Sequence, residues 1–463
     1  MLDISTIRSN VKSSLDGNRE FMGDVLKIAV PIALQSVIMS LLNMADQIMV
    51  GQLGEKSIAA VGMSNRIITI LMFVLNAIAA GISVYAAQLW GKKESSRIGQ
   101  LMGIGLLAGG VITAAFVCLS IFAPEFCIGI FSKDKEVMAE GAIFLKVVGY
   151  SYIPSMLTVI YSAVLRATTH VKLPVTASII GVVLDVILNY LLIFGIFGFP
   201  KMGLRGAAVS TVIARIAELL IIIAVTYKAK LPAAFTFRQM NGISKTLLAS
   251  YFNTTYPFIL NEFLWVLGET VYSIIYGRIG TIEYTAVAIT APIQGITIGA
   301  LSGIAGATSI ILGNAIGADN NQKVLKYASK FIKLSIGLSL CLGVFVISLS
   351  KFYIGIYNVS DVTGRYAWYL LMAFAFFLWV KVSNMIIGSG ILSSGGDSKF
   401  IFVMESSTTW LFGVPSGFLT AFVLGLQVYW VYLILSCEEI VRFIIGLRRV
   451  NSRKWIKNLV NDI

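Results

Sequence analysis

The sequence predicts an all-α membrane protein whose twelve transmembrane helices form two pseudo-symmetric six-helix lobes, a parallel internal repeat. Two observations carry this. The first is composition: 57% of the 463 residues are hydrophobic and only 13% are charged, against about 25% charged in soluble domains, and mean hydropathy is +0.85. A soluble helical repeat of this length has no way to bury so much apolar surface, whereas a bilayer solvates it. The second is duplication. Residues 31–91 align with 257–317 without a gap, so that Pro31 meets Pro257, Gly51 meets Gly277, Gly54 meets Gly280, Ala60-Val61 meets Ala286-Val287 and Gly91 meets Gly317. The register continues where Leu165-Arg166-Ala167-Thr168 faces Leu392-Ser393-Ser394-Gly395. Duplicated blocks of membrane helices are a mark of secondary transporters, which build their substrate site between or within the two halves.

Each helix is justified by length. About 20 apolar residues cross the hydrocarbon core, and such segments lie near 25–50, 57–90, 98–122, 139–165, 173–197 and 203–227 in the first half. The second half supplies 250–276, 284–315, 327–350, 363–391, 399–424 and 426–447. Continuous runs such as Leu219 to Val225 do not alternate, which excludes the strands of a membrane barrel. Pro31 and Pro257 fall early in the first and seventh helices, where each removes a backbone hydrogen bond and kinks its helix. The division that follows is a tail over 1–23, a lobe over 24–228, a linker over 229–248, a second lobe over 249–448 and a basic tail over 449–463. Six helices per half start both halves from the same side, so the repeats are related by an axis along the membrane normal. In the first tail Ile7, Val11 and Leu15 recur every fourth residue, which suits a short surface helix or plain disorder.

The net charge of +13 does not indicate nucleic acid. Most Lys and Arg sit in alternate loops, among them Lys92-Lys93, Arg97, Arg166, Lys172, Lys228, Lys230, Lys323, Lys326 and Arg448-Arg449. The positive-inside rule then makes both termini cytoplasmic, in a multi-pass protein of the cell (plasma or inner) membrane. The first 23 residues hold no cleavable hydrophobic signal, so the first helix directs insertion. Cys118, Cys127, Cys341 and Cys437 are scattered without metal spacing, and no disulfide framework or cofactor is expected. The lone His170 lies in a loop and supports neither zinc binding nor histidine catalysis. The chain is expected to act as a monomer.

Ionisable residues within the hydrocarbon region default to a functional hypothesis. Asp46 lies in the first helix, and its repeat partner is Tyr272, so this carboxylate belongs to one lobe only. Asp185 lies in the fifth helix with Asn189 one turn later on the same face, and Thr211 follows in the sixth. Asp46, Asp185, Asn189 and Thr211 supply oxygen ligands of the kind a hard cation such as Na⁺ takes. Two carboxylates in one low-dielectric site equally share a proton. The second lobe offers Glu262 and Glu269, seven residues apart on one face, and Lys381 beside Ser383 and Asn384. A buried Lys without a carboxylate loses its proton or draws in water; a Glu262–Lys381 or Glu269–Lys381 pair answers this, either as a structural ion pair or in handling substrate or proton. Arg215 with Glu218, and Arg442 with Glu438-Glu439, read as local ion pairs.

Several short segments then resemble the multidrug and toxic compound extrusion (MATE) transporters, over roughly 24–457. They are Asp46-Gln47-Ile48-Met49-Val50-Gly51-Gln52-Leu53-Gly54, Ala59-Ala60-Val61-Gly62, Leu165-Arg166-Ala167, Leu188 to Gly195, Gly206 to Thr211 and Gly390 to Asp397. Order, spacing and the twelve-helix setting carry the likeness together. The resemblance implies a V-shaped pair of lobes and efflux of small organic, often cationic, compounds driven by H⁺ or Na⁺. It matches the family's first-helix acid to Asp46, its kink proline to Pro31 and its sixth-helix threonine to Thr211. Many members carry Asn and then Asp four residues later in the fifth helix; here the order is Asp185 then Asn189. Branches that use acids in the seventh and tenth helices find only Glu262 near the first position and Lys381 at the second. Where the family usually has Leu-Arg after the tenth helix, this chain has Leu392-Ser393.

The leading expectation is therefore a cation-coupled exporter. Its runner-up is a flippase for a lipid-linked precursor, which needs several cavity-facing bases to hold a diphosphate, whereas the intramembrane cations here are few (Lys381 and Arg66). An intramembrane aspartyl protease using Asp46 and Asp185 lacks that class's local motifs, and no enzymatic activity is expected. Aromatic residues at 11% and 15 Met suit a polyspecific pocket without naming its cargo.

Overall fold

The computed structural model describes residues 4–236, 239, 243–357 and 359–461, without the side chains of 4–17, Gln47 and Glu55. The first half runs α1 (Ile4–Gly51), α2 (Glu55–Gly91), α3 (Ile98–Phe122), α4 (Lys135–Val148 and Tyr152–Ala167, joined by one 3₁₀ turn), α5 (Lys172–Phe194) and α6 (Leu204–Lys228). The second runs α7 (Lys245–Ile279), α8 (Thr281–Gly317), α9 (Asn321–Ile354), α10 (Asp361–Met385), α11 (from Ser398–Thr408) and α12 (Val428–Ser436 and Glu438–Asn451). Ten of these are long and apolar enough to span a bilayer. The eleventh and twelfth spans are broken: π turns over Thr409–Gly413 and Leu419–Val423 interrupt α11, and Cys437 divides α12. A third π segment, Ile386–Leu392, extends α10. All three lie in the second half.

Local sequence fixes the helix ends. Asp134 caps the start of α4 by accepting from Glu136 N at 2.9 Å, Ser244 caps α7 through Leu247 N at 3.0 Å, and Asn320 caps α9 through Lys323 N at 3.0 Å; each satisfies an otherwise orphaned donor. At the far end of α5, Gly195 turns left-handed (φ 70°) and returns its N–H to Leu191 O at 3.0 Å. Pro31 and Pro257 lie inside α1 and α7, which continue through them. α1 begins at Ile4, so the described backbone of the predicted tail is an extension of the first helix. The side chains of Ile7, Val11 and Leu15, on which a surface helix was to rest, lie outside those described.

The starts of α1 and α7 and the ends of α2 and α8 share one face of the bundle, here called the terminal face. The lobes meet in the half of the bundle below that face. Phe21, Val25, Ile28 and Ala29 of α1 join the hydrophobic core of the second half, while Leu247 and Tyr251 of α7 join that of the first. Each lobe thus leans its first helix onto the other. Neutral hydrogen bonds sew the seam: Ser36 to Ser302 at 3.3 Å, Tyr85 to Ser250 at 2.8 Å and to Thr254 at 3.1 Å, and Tyr251 to Ile78 O at 3.0 Å. Phe73 meets Trp265 edge-on at 6.5 Å further in. These cross-lobe contacts lie between the terminal face and that level.

The closest approach lies where α2 crosses α8. A Cβ on Gly91 would fall 1.9 Å from Asn314 O, and one on Gly317 would fall 1.9 Å from Gln88 O. Gly91 and Gly317 are repeat partners, and so are Gln88 and Asn314, so the contact is reciprocal about the pseudo-two-fold axis. The repeat is written into backbone angles too, with φ 66° at Thr169 and 69° at Gly396, and φ 65° at Lys93 and 53° at Asp319. Replacing Gly91 by Val puts a branched side chain where a carbonyl stands. The expected cost is about 1–3 kcal/mol, read as a lowered unfolding temperature of the detergent-solubilised protein; an unchanged temperature would show that the crossing is slack.

Candidate functional site

The polar residues of the first lobe converge from three helices. α1 contributes Asp46, α5 contributes Asp185 and Asn189, and α6 contributes Ser210 and Thr211. Asn189 Nδ2 donates to Asp46 Oδ1 at 2.9 Å, and Ser210 Oγ donates to Asn189 Oδ1. Ser210 also donates to Ala207 O at 2.8 Å, and Thr211 Oγ1 donates to the same carbonyl at 3.1 Å. Asp185 lies one turn before Asn189. It is 8% exposed, its Oδ1 is buried without a hydrogen-bond partner, and Asp46 and the Ser210 and Thr211 hydroxyls lie beside it. Arg215, one turn beyond Thr211, is within electrostatic reach of both aspartates and is ion-paired to Glu218 at 2.9 Å. The cluster contains carboxylate, amide and hydroxyl oxygens in a water-poor setting. That chemistry accepts a proton or a small hard cation.

Sequence reasoning named Asp46, Asp185, Asn189 and Thr211 and passed over Ser210. The available signal was adjacency: Ser210-Thr211 offers two hydroxyls 100° apart around the helix, and it is Ser210 that points at Asn189. Arg215 was read only as Glu218's partner, a reading that left out its view of the aspartates.

In the second lobe the structure corrects an expectation. Lys381 forms no ion pair with Glu262 or Glu269. Its Nζ stands 5.8 Å from the Tyr432 ring centroid, with Glu269, Glu438 and Glu439 in its electrostatic surroundings. The close ion pairs belong to Arg442, whose guanidinium reaches Glu438 and Glu439 at 3.4 Å each and donates to Thr408 Oγ1 at 3.1 Å and Thr409 Oγ1 at 3.0 Å. Helical spacing explains this: Glu438 and Glu439 are four and three residues before Arg442 and sit on its face. Tyr272 O–H, the repeat counterpart of Asp46, donates to Glu438 Oε2 at 2.7 Å. Asn384 donates to Glu439 Oε2 at 2.7 Å and to its carbonyl at 2.8 Å. Gly413 in the first π turn makes room, since a Cβ there would fall 2.0 Å from Glu438 Oε2 and 2.1 Å from the Tyr272 hydroxyl. Glu262 stands near Glu405, which accepts from Asn261 at 2.7 Å.

Outside these clusters, His170 Nδ1 lies 3.3 Å from Thr168 Oγ1 and the ring meets Trp90 edge-on at 5.9 Å. The four cysteines are free. Among the described residues no group of three or more His, Cys, Asp or Glu could hold a metal ion.

Removing one partner of a buried ion pair strands the other charge and costs about 3–5 kcal/mol. Arg442→Ala leaves Glu438 and Glu439 facing each other unpaired, and a loss of that size is expected in detergent unfolding. The triple change Arg442→Met, Glu438→Gln, Glu439→Gln removes all three charges and is expected to recover most of it.

A family model described as MatE matches residues 31–191 and 257–419, one stretch in each repeat. An uncharacterised transporter, YisQ of Bacillus subtilis, is 26% identical over 431 residues, covering 92% of this chain and 93% of the relative. A probable multidrug resistance protein, NorM of Thermotoga maritima, is 25% identical over 457 residues, covering 95% and 94%. Among solved structures, an outward-facing conformation of a multidrug resistance MATE family transporter of the MOP superfamily superposes with a TM-score of 0.85 at 18% identity, over 93% of this chain and 96% of that one. A mutant of the Vibrio cholerae MATE transporter VcmN superposes with 0.86 at 16% identity, over 95% and 99%.

Proposed function

Because the chain belongs to the MatE family, we propose that it is a secondary active efflux transporter that exports organic cations by antiport with H⁺ or Na⁺, both termini facing the cytoplasm. The observation that carries this reading is the first-lobe cluster. Asp46, Asn189 and Ser210 form one hydrogen-bonded chain across α1, α5 and α6, with an unpartnered carboxylate oxygen of Asp185 one turn away. In the second lobe the Asp46 position is the neutral Tyr272, and the nearest acids are tied to Arg442.

In mechanism, Asp46 is the principal coupling carboxylate. Asn189 and Ser210 hold it, and Asp185 with Thr211 completes the oxygen set for the proton or Na⁺. The cross-lobe contacts gather toward the terminal face, and the cluster lies toward the side that the positive-inside rule makes external. From that side the coupling ion enters the cluster, neutralises its charge and releases a cationic cargo. Reversal with a neutral or ion-loaded lobe avoids carrying bare carboxylates through hydrocarbon. Glu262, Glu269, Lys381 and Asn384 of the second lobe supply polar contacts to cargo. The lipid bilayer is the solvent, and no cofactor is required.

The test is transport by purified protein in liposomes under imposed pH or Na⁺ gradients. Asp46→Asn keeps shape and hydrogen bonding but cannot change charge, and is expected to abolish efflux while the protein still inserts. Near-normal transport by that variant at several pH values would sink the assignment.

A second variant asks whether α5 offers two interchangeable places for the charge. Asp185→Asn combined with Asn189→Asp moves the carboxylate one turn, to the position that bonds Asp46. The double swap is expected to transport better than Asp185→Asn alone. Equal rates would mean that Asp185 acts apart from the Asp46 chain.

A further inference from the structure

The end of the chain is built into the seam between the lobes. It is anchored first on the second lobe. Trp455 is fully buried and donates from Nε1 to Val450 O at 3.1 Å. Its carbonyl occupies the space a Cβ on Gly395 would need, at 1.8 Å, and Leu459 lies 2.4 Å from where a Cβ on Gly396 would stand. Asp397, between α10 and α11, accepts from Arg449 at 2.6 and 3.0 Å and from Lys457 at 2.8 Å. Burial alone would raise that carboxyl, but the two cations hold it below the ordinary value. Asn458 donates to Ile316 O at 3.2 Å and to Asp319 at 2.7 Å, at the end of α8.

From this anchor the segment reaches across to the first lobe. Gln88 of α2 accepts from Leu459 N at 2.8 Å and donates to Lys457 O at 3.1 Å and to Ser394 O at 2.9 Å. Lys92 donates to Val460 O at 3.2 Å. Leu459 packs against both hydrophobic cores, and Val460 is fully buried in the first. Gln88 is also the residue whose carbonyl meets Gly317 at the crossing. The segment therefore bridges the lobes at the point where they are closest.

Internal symmetry shows that this bridge is an addition to the repeat. The repeat partner of Gln88 is Asn314, that of Gly396 is Thr169 and that of Asp397 is His170. Asn314, Thr169 and His170 line a cavity of about 810 Å³ between the lobes, which no described segment fills as the tail fills its own seat. The crossing of α2 and α8 is two-sided, and the bridge is one-sided.

We propose that residues 455–460 are a clasp, carried by the second lobe and fastened to Gln88 and Lys92 of the first, that holds the terminal face shut and releases each time that face opens. This rests on the alternation of the lobes proposed above. Opening the terminal face separates α2 from α8, and Gln88 and Lys92 move with α2 while Trp455, Lys457 and Asn458 stay with α8, α10 and α12. The clasp sets how often the face opens without touching the coupling cluster.

Two measurements test it. In protein whose four native cysteines are replaced by alanine, Ser302→Cys places a thiol in the seam and is labelled by a membrane-impermeant maleimide added to the terminal face. Gln88→Ala is expected to raise the labelling rate roughly five-fold or more, since an ordinary hydrogen bond corresponds to about that factor. Separately, Lys92→Cys with Val460→Cys, joined by a reversible bifunctional thiol reagent, is expected to stop dye efflux until a reductant is added. The same reagent on Asn458→Cys with Asp319→Cys, both on the second-lobe side, is expected to leave efflux running. Efflux that continues through the Lys92–Val460 cross-link, or labelling unmoved by Gln88→Ala, would overturn the clasp. If the protein moves no dye but labelling still rises in Gln88→Ala, the exporter reading falls and the clasp stands.

Discussion

The arrangement depends on one steric constraint, the reciprocal crossing of α2 and α8. Gly91 admits the backbone of Asn314 and Gly317 admits the backbone of Gln88, so two helices from different lobes touch at a distance no side chain allows. Because the crossing lies at the terminal ends of both helices, the lobes are pinned there and free to splay at the other end. The leaning of α1 onto the second core and of α7 onto the first follows from the same axis. A second backbone approach, Gly303 of α8 against Ala29 and Ala33 of α1, lies deeper in the seam. The first-lobe cluster sits in the half away from the crossing.

The lobes share a backbone plan and differ in charge. At the Asp46 position the second lobe carries Tyr272, whose hydroxyl donates to Glu438. Arg442 then satisfies Glu438 and Glu439 together, with Thr408 and Thr409 accepting from two more of its N–H groups. A buried guanidinium with four polar partners behaves as a tethered cation, with no place for an exchangeable one. In the first lobe Arg215 is pulled aside by Glu218, and Asp185 keeps an oxygen without a partner. Duplication supplied two equivalent frames, and side-chain substitution leaves an unpartnered carboxylate oxygen in one and a paired guanidinium in the other. The π turns of α10 and α11 lie in the lobe with the tethered cation, and the turn at Thr409–Gly413 is the one that admits the Tyr272–Glu438 contact.

The repeat, the helix count and the cluster of Asp46, Asp185, Asn189 and Thr211 were readable from the sequence because each has a local or periodic signal. Prolines and glycines recur at a fixed offset, apolar runs have the length of a bilayer, and carboxylates stand out against hydrocarbon. What escaped is set by rotation and by contacts distant in sequence. Ser210 rather than Thr211 faces Asn189, a matter of 100° that no spacing argument decided. Lys381 was expected to pair with Glu262 or Glu269, but the i,i+3 and i,i+4 glutamates of α12 serve Arg442 and not Lys381, a division that only the packing of α7, α10 and α12 determines. The tail over 449–463 read only as basic, from Arg449, Arg453, Lys454 and Lys457. Its burial depends on two glycines some sixty residues earlier, Gly395 and Gly396, and on Gln88 in the other half of the chain.

The composition of the seam bears on whether it can open. Buried ion pairs across the seam would leave bare charges on separation. The seam packs apolar side chains of α1 and α7 onto the opposite cores, and the polar bonds described at its centre are neutral. Its cross-lobe bonds join hydroxyls and carbonyls: Ser36 with Ser302, Tyr85 with Ser250 and Thr254, and Tyr251 with Ile78 O. Neutral groups of this kind exchange their partners for water at a net cost near 1 kcal/mol each. An ionic contact between lobes, Lys323 with Glu20 at 3.7 Å, lies at the exposed rim, where such pairs contribute little. Strong charges are instead held inside single lobes, as in Arg442 with its glutamates and Asp397 with Arg449 and Lys457. Across the plane between the lobes stand instead close backbone approaches, neutral hydrogen bonds and residues 457–460.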